Sequence, residues 1–195
     1  MPGIVCGSCL RGTNVVAVPP CRPSARQGRS RGIIVANHTD ERCFERKRMR
    51  LSEASYSDPS SVYFITLCTR DKQQVFLHEG LARQIVDALM WCREKERFRI
   101  YAYCLMPDHL HMAISPSDPS VHLSQAIGRF KSHTTRASWK LGFEGQLWQR
   151  SWYDRIARRE ENVLAVCGYI LGNPVRKGLV ETPEEWPYSG MPDPL

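Results

Sequence analysis

An α+β fold, with helices set between the strands of an antiparallel sheet, follows from three features of the chain. Short runs rich in β-branched and aromatic residues recur at 62–69, 98–105, 109–115 and 147–156, a composition suited to strands. Segments with apolar residues three and four apart lie between or after them, the period of a helix packed along one side. Pro107-Asp108 separates the second and third runs, as a tight turn between paired strands requires.

Taken in order, residues 1–58 are rich in Gly, Pro, Arg and Ser without periodicity and read as a disordered basic extension. Orderly text begins soon after Met49, which is therefore the expected start of the working protein. The folded domain is expected over 59–190. Its first helix spans 80–95, with Leu81, Ile85, Ala88 and Cys92 on one stripe. The second spans 121–141, with Leu123, Ile127, Phe130, Ala137 and Leu141 facing the core. A third runs from about 160 to 172, its acidic first turn suiting the helix dipole. Pro174 disfavours helical geometry at Asn173, so that helix is expected to stop there. Trp186-Pro187-Tyr188-Ser189 is expected to fold back over apolar surface. The order β-α-β-β-α-β is the ferredoxin-like arrangement, here with an added C-terminal helix carrying Tyr169.

Lys and Arg outnumber Asp and Glu by 27 to 20 among 195 residues, a net charge of +7, which points to an anionic partner. Residues 1–58 hold 10 basic and 5 acidic side chains and the remainder 17 and 15, so within the domain local stripes matter more than the total. Of eight cysteines, Cys68, Cys92, Cys104 and Cys167 sit in apolar periodic segments and behave as small hydrophobes. Cys6 and Cys9 form a lone Cys-x-x-Cys with no second pair, which argues against zinc. The chain shows no secretory signal and no apolar run near the ~18 residues of a membrane span. A reducing cytoplasm is the expected compartment.

Two patterns carry chemistry. His109 and His111 lie two apart on a strand and point to one face, half of a metal site. Tyr169 and Asn173 lie four apart and share a helix face. Taken alone, the residues favour Tyr169 as a packing side chain and Asn173 as a helix cap.

The runs Val-Tyr-Phe-Ile-Thr-Leu, Met-Pro-Asp-His-Leu-His, Leu-Trp-Gln-Arg-Ser-Trp-Tyr-Asp-Arg and Tyr-Ile-Leu-Gly-Asn-Pro-Val-Arg-Lys-Gly-Leu-Val occur in that order. Together they resemble the single-tyrosine HUH transposases, most closely the REP-associated tyrosine transposases, over about residues 60–190. The resemblance implies a ferredoxin-like fold, a divalent metal (magnesium or manganese), and single-stranded DNA, including hairpin-forming repeats, as substrate. It implies Tyr169 as the catalytic nucleophile, joined covalently to a DNA 5′ end, and His109, His111 and Asn173 as metal ligands. Dimers are common in that family. Two other readings stay open: a DNA-binding protein without activity, from a decayed or domesticated transposase, and a metallohydrolase of a small molecule, for which a third strong ligand and a deep pocket are not signalled.

For DNA contacts, Arg129, His133, Arg136 and Lys140 share one helical stripe, which also suits a plain solvated surface. Arg150, Arg155, Arg158 and Arg159 form a second cluster. Arg176 and Lys177 follow the Asn-Pro turn, near the expected site. Tyr153 is the rival nucleophile, but its place on an expected strand with two tryptophans, Trp148 and Trp152, suits packing or base stacking, and it lacks an amide four residues on.

Overall fold

The computed structural model describes residues 56–157 and 160–195. Expectations for Cys6, Cys9, Met49, Arg158, Arg159 and the extension lie outside the described residues. The elements are β1 (Val62–Cys68), α1 (Glu79–Glu96), β2 (Phe98–Met106), β3 (His109–Pro116), α2 (Leu123–Trp139), β4 (Tyr153–Ala157), α3 (Glu160–Leu171), α4 (Asn173–Arg176) and β5 (Ser189–Gly190). The strands form one antiparallel sheet in the order β4-β1-β3-β2-β5. Its first four members reproduce the expected ferredoxin-like sheet; β5 is an addition at the far edge.

Strand parity divides the core in two. Tyr63, Ile65 and Leu67 of β1 and Leu110, Met112 and Ile114 of β3 face α1 and α2, meeting Leu81, Ile85, Leu89, Leu123, Ile127 and Phe130. Phe64 and Ala113 face the opposite way, against Val163, Cys167 and Ile170 of α3. A bulge between Ile100 and Ala102 turns Tyr101 and Ala102 of β2 toward α3 as well. On that side the sheet offers Ala102, Cys104 and Ala113, all with no exposure, and such small side chains let a helix lie close. Burial pushes the Cys104 thiol up to about 12, so it packs as a neutral group.

Several expectations need correction. The fourth strand does not start at 147. Trp148 is buried between Phe76 and Phe130, at ring separations of 5.3 and 5.9 Å, and its Nε1 donates to Thr134 Oγ1 at 2.8 Å. Lys131 Nζ donates to the carbonyls of Gln149 and Arg150 at 2.6 and 3.0 Å. Those anchors hold 147–150 against the helical layer, leaving only the Thr69–Trp148 bridge before β4. On α2, Thr134 and Ser138 are buried, in place of the expected Ala137 and Leu141. Each hydroxyl bonds back to its own helix, and the helix ends at Trp139, which leaves Leu141 40% exposed.

Described structure reaches back to Tyr56, ahead of the expected boundary at 59. Tyr56 is buried against Tyr63 and its hydroxyl donates to Asp154. The tail behaves as expected. Trp186 Nε1 donates to Leu105 O at 3.0 Å, Leu105 N to Tyr188 O at 2.8 Å, and Asp193 accepts from Ile100 N and Arg93 Nε, both at 2.7 Å. Among the described residues no helix is long and apolar enough to cross a membrane.

Candidate active site

The α3 side of the sheet holds the expected histidines. Register pairs Thr66 with His111 and Cys68 with His109 across β1 and β3, so these four side chains share one face. Their order follows from parity: β1 puts Phe64, Thr66 and Cys68 on the face that Tyr63, Ile65 and Leu67 avoid.

The two imidazoles are held from behind. Thr66 Oγ1 lies 2.8 Å from His111 Nδ1, and Asp108 Oδ1 lies 2.5 Å from His109 Nδ1. Both Nε2 atoms are thereby turned toward each other, 3.0 Å apart. Phe64 stacks on the His111 ring at 5.4 Å and 22°. His111 is 8% exposed, and burial, then the neighbouring His109 and Arg176, push its pKa down from 6.5 to about 3. It is a neutral imidazole, and in the tautomer that donates from Nδ1 to Thr66 it offers a lone pair at Nε2.

This arrangement fits a divalent cation. Two nitrogens bound ~2.1 Å from one ion at a right angle sit about 3 Å apart, the separation seen here. A hydroxyl and a carboxylate on the outer nitrogens are the partners that fix tautomer and ring direction in metal-binding histidines. Among the described residues no third His, Cys, Asp or Glu joins them to hold a metal ion. The pair therefore suits an open site completed by an amide, water or substrate oxygens.

Tyr169 approaches from α3. Its half-buried ring stands edge-on to Phe64 at 6.1 Å and 6.3 Å from the His111 ring. Tyr153 reaches the same face from β4: register pairs it with Thr66, and its ring meets Phe64 edge-on at 6.4 Å. The two tyrosines thus flank one phenylalanine, a neighbourhood that sequence alone did not place for Tyr153.

Asn173 is buried, and α3 does not simply end there. The helix is interrupted at Gly172 and α4 starts at Asn173, with Pro174 in its first turn, a position proline favours but one that leaves Ile170 O without a backbone donor. Pro174 would otherwise have donated to Ile170 O; Asn173 Nδ2 does so instead at 3.3 Å, and reaches Tyr169 O at 3.1 Å. With both partners carbonyls, the nitrogen must be the atom turned to the helix, which leaves Oδ1 as the atom with acceptor capacity to offer a ligand. The carboxamide bonds to its own helix here, as a cap does.

A cleft of about 410 Å³ opens beside the dyad, lined by Thr66, Cys68, Lys72, Asp108, Lys177 and Leu179 among others. Lys72 in its lining and the preceding Asp71 both take positive φ, 53° and 55°, an uncommon conformation for side-chain-bearing residues. The Thr69 hydroxyl steadies that turn, donating to Gln73 O at 2.8 Å and Asp108 O at 3.0 Å. Lys177 thus sits where expected, whereas Lys72, Thr66 and Asp108 went unnoticed. Only Asp108, adjacent to His109, carried a signal legible without the register.

The basic candidates scatter. Arg129 is tied to Glu96, Nε to Oε1 at 2.8 Å and Nη2 to Oε2 at 2.5 Å, so it serves the α1–α2 contact. His133 stacks on Trp91 at 5.2 Å. Arg136, Lys140 and Arg150 are exposed, and Arg136 and Arg150 line a different cleft from the one beside the dyad. Arg155 pairs with Phe64 in register and is exposed on the dyad's face. Arg176 folds back onto Tyr169.

A ferredoxin-like sheet whose added helix sets a tyrosine beside a histidine pair defines a class of DNA-processing proteins, and comparison with known proteins places the chain within it. Residues 59–173 match the family model described as Transposase IS200 like, and the chain belongs to that family. It is 26% identical over 140 residues to a Haemophilus influenzae protein provisionally named a REP-associated tyrosine transposase, covering 67% of this chain and 79% of the other. A REP-associated tyrosine transposase of Escherichia coli is 22% identical over 134 residues, covering 69% and 78%. The solved structure of a REP-associated tyrosine transposase bound to a REP hairpin superposes with a TM-score of 0.58 over 75% of this chain and 82% of that one, at 20% identity. That likeness is one of fold.

Proposed function

We propose that the protein cleaves and rejoins single-stranded DNA, with Tyr169 as nucleophile and a divalent metal, magnesium or manganese, held by His109, His111 and the Asn173 amide oxygen. The observation that carries the reading is the meeting of the Tyr169 and His111 rings, 6.3 Å apart between centroids, beside imidazoles whose Nε2 atoms are set 3.0 Å apart. When bound, the ion polarises the scissile phosphate and offsets the charge that gathers on its oxygens.

The rest falls to side chains. The Tyr169 hydroxyl releases its proton to solvent and attacks phosphorus; the bond from phosphorus to the 3′ oxygen breaks, and that oxygen takes a proton from solvent and leaves as a 3′ hydroxyl. The downstream strand remains on Tyr169 as a 5′-phosphodiester, which keeps the bond energy for rejoining to another 3′ hydroxyl. Lys72 and Lys177 line the cleft beside the dyad, and they are suited to grip backbone phosphates of the cut strand.

A second cleft suits unpaired nucleotides further along the DNA, in keeping with hairpin-forming repeats as partner. It lies on the helical layer, about 640 Å³, with Lys131, Arg136, Trp139, Arg150 and Trp152 in its lining and no acidic residue there. Aromatic rings among cations match bases strung between phosphates.

A 3′-labelled single strand carrying the hairpin repeat, incubated with manganese, tests the reading. A labelled protein band that survives denaturant is expected, and Tyr169→Phe should abolish it. A band of equal strength in that variant, with Tyr153→Phe abolishing it instead, transfers the role to Tyr153.

A further inference from the structure

A cation just beyond the tyrosine helix is well placed in sequence to hold DNA phosphate, yet the Arg176 guanidinium is engaged elsewhere. Its Cζ lies 4.0 Å from the centroid of the Tyr169 ring, and its Nη2 donates to Tyr169 O at 2.6 Å. One flat group thus holds a single residue at both ends: its face covers the phenol ring and its edge binds the backbone carbonyl. Phe64 meets the same ring edge-on at 6.1 Å. The Tyr169 ring it covers lies 6.3 Å from the His111 ring, so the contact forms part of the dyad's surroundings.

Gly172 explains how the side chain gets there. Its φ of −76° is ordinary for a helix, so conformational freedom is not what glycine supplies. Space is. A Cβ at this position would stand 3.0 Å from Arg176 Nη1, tighter than nine in ten such contacts, so the guanidinium would have to give by a few tenths of an ångström. The missing side chain is the room into which the guanidinium folds, one turn before its own place on α4.

We infer that Arg176 is a positioning residue for the tyrosine nucleophile and that Gly172 clears the space it needs, an inference that rests on Tyr169 being the nucleophile. Confining the ring fixes the approach of its hydroxyl to the phosphate, and reactions of this kind lose rate steeply when the attacking group is misplaced. The role differs from that of a phosphate contact, which would strengthen DNA binding and leave the bound complex as reactive as before.

The test compares Arg176→Ala, Arg176→Lys, Gly172→Ala and the double alanine variant, each checked for a retained melting transition. At saturating DNA, single-turnover adduct formation should fall by about tenfold to a hundredfold in Arg176→Ala, with little change in the DNA concentration giving half the maximal rate. Arg176→Lys keeps the charge without the flat face and should stay slow. The double variant should be no slower than the slower single one, because both remove the same contact. Weakened DNA binding with an unchanged saturated rate overturns the inference and makes Arg176 a phosphate contact. A second readout needs no catalysis: 3-fluorotyrosine incorporated throughout, with the Tyr169 resonance assigned through Tyr169→Phe. Fluorine resonances shifted in the same direction by Arg176→Ala and Gly172→Ala are expected; a Tyr169 signal indifferent to both overturns the inference whether or not the protein cuts DNA. Loss of adduct in Tyr153→Phe rather than Tyr169→Phe would instead count against the nucleophile assignment while leaving the fluorine result standing.

Discussion

Thr66 Oγ1 lies 2.8 Å from His111 Nδ1, and this hydroxyl on the neighbouring strand is what aims the His111 Nε2 at His109. Thr66→Val keeps the branched shape but removes the bond, leaving a buried ring nitrogen unsatisfied, which costs about 1–3 kcal/mol. Metal affinity should fall by about 10- to 100-fold, as for other partners of ligating histidines. Calorimetric titration with manganese measures it. Unaltered affinity in a folded Thr66→Val would show that β1 takes no part in aiming the ring.

The same burial makes the dyad sensitive to acid. His111 titrates at about 3 in the native protein, below its ordinary 6.5. The unfolded chain therefore takes up a proton between pH 6.5 and 3 that the native state refuses, and stability present above 6.5 declines as pH falls through that window. In chelator, the melting temperature of the wild type should drop more steeply from pH 7 to 4 than that of His111→Gln. Parallel curves would mean that this imidazole does not govern the acid limb.

Asn173 serves two ends, and one substitution separates them. Its nitrogen caps the carbonyls of Tyr169 and Ile170, the second of which Pro174 leaves without a backbone donor, while its oxygen is the proposed ligand. Asn173→Asp removes the donor and keeps an oxygen. The melting temperature should drop, consistent with a loss of about 1–2 kcal/mol, while manganese binding persists. Asn173→Ala should lose both. If Asn173→Asp melts like the wild type, the cap contributes nothing to the fold.

Much of this site could be read from residue order, because strand parity alone puts His109 and His111 on one face and helix spacing alone groups Tyr169 with Asn173. What sequence withheld depends on which strands become neighbours. Thr66 and Tyr153 reach the dyad only through the β4-β1-β3 register, and no local pattern fixes register between strands so far apart in the chain. The fourth strand was overextended for a related reason: residues 147–152 have strand composition, but Trp148 finds its hydrogen-bond acceptor at Thr134 on α2. That bond also explains why polar Thr134 occupies the core in place of Ala137. β5 consists of Ser189 and Gly190 alone, too short to leave a period. Gly172 looked like an ordinary helix end until the fold of Arg176 gave it a purpose.

The Trp148–Thr134 bond gives a prediction about stability. Both residues are at most 3% exposed, and the Thr134 hydroxyl also donates to Phe130 O at 2.8 Å, so the threonine relays between indole and helix. Trp148→Phe removes the donor and some ring volume. Urea unfolding should show a loss of about 3 kcal/mol, combining the broken bond with the cavity. Thr134→Val leaves the indole N–H buried and unpaired. Combined with Trp148→Phe it should cost less than the sum, since the two share one interaction. Strict additivity would mean that the contact adds nothing beyond packing.

On the helical layer, Trp139 is the residue whose removal should report most clearly on DNA. Its Nε1 donates to Gly145 O at 2.7 Å and the residue is 52% exposed, so the ring is fixed at one edge with much of its surface in solvent. A fixed ring loses little freedom when a base stacks on it, and such stacking is worth about 1–3 kcal/mol per base. Trp139→Ala should therefore weaken binding of a hairpin with unpaired flanks by about fivefold or more, with little change in its salt dependence. Arg136→Ala should act oppositely: a lost phosphate contact lowers the slope of log affinity against log salt by about 0.7 for a single strand. Neither residue makes an ion pair among the described residues, so neither change should lower the melting temperature through a broken salt bridge. Fluorescence anisotropy at several salt concentrations distinguishes the two effects, and unchanged binding in both variants would remove this cleft from the DNA path while leaving the chemistry at Tyr169 to be judged by its own adduct.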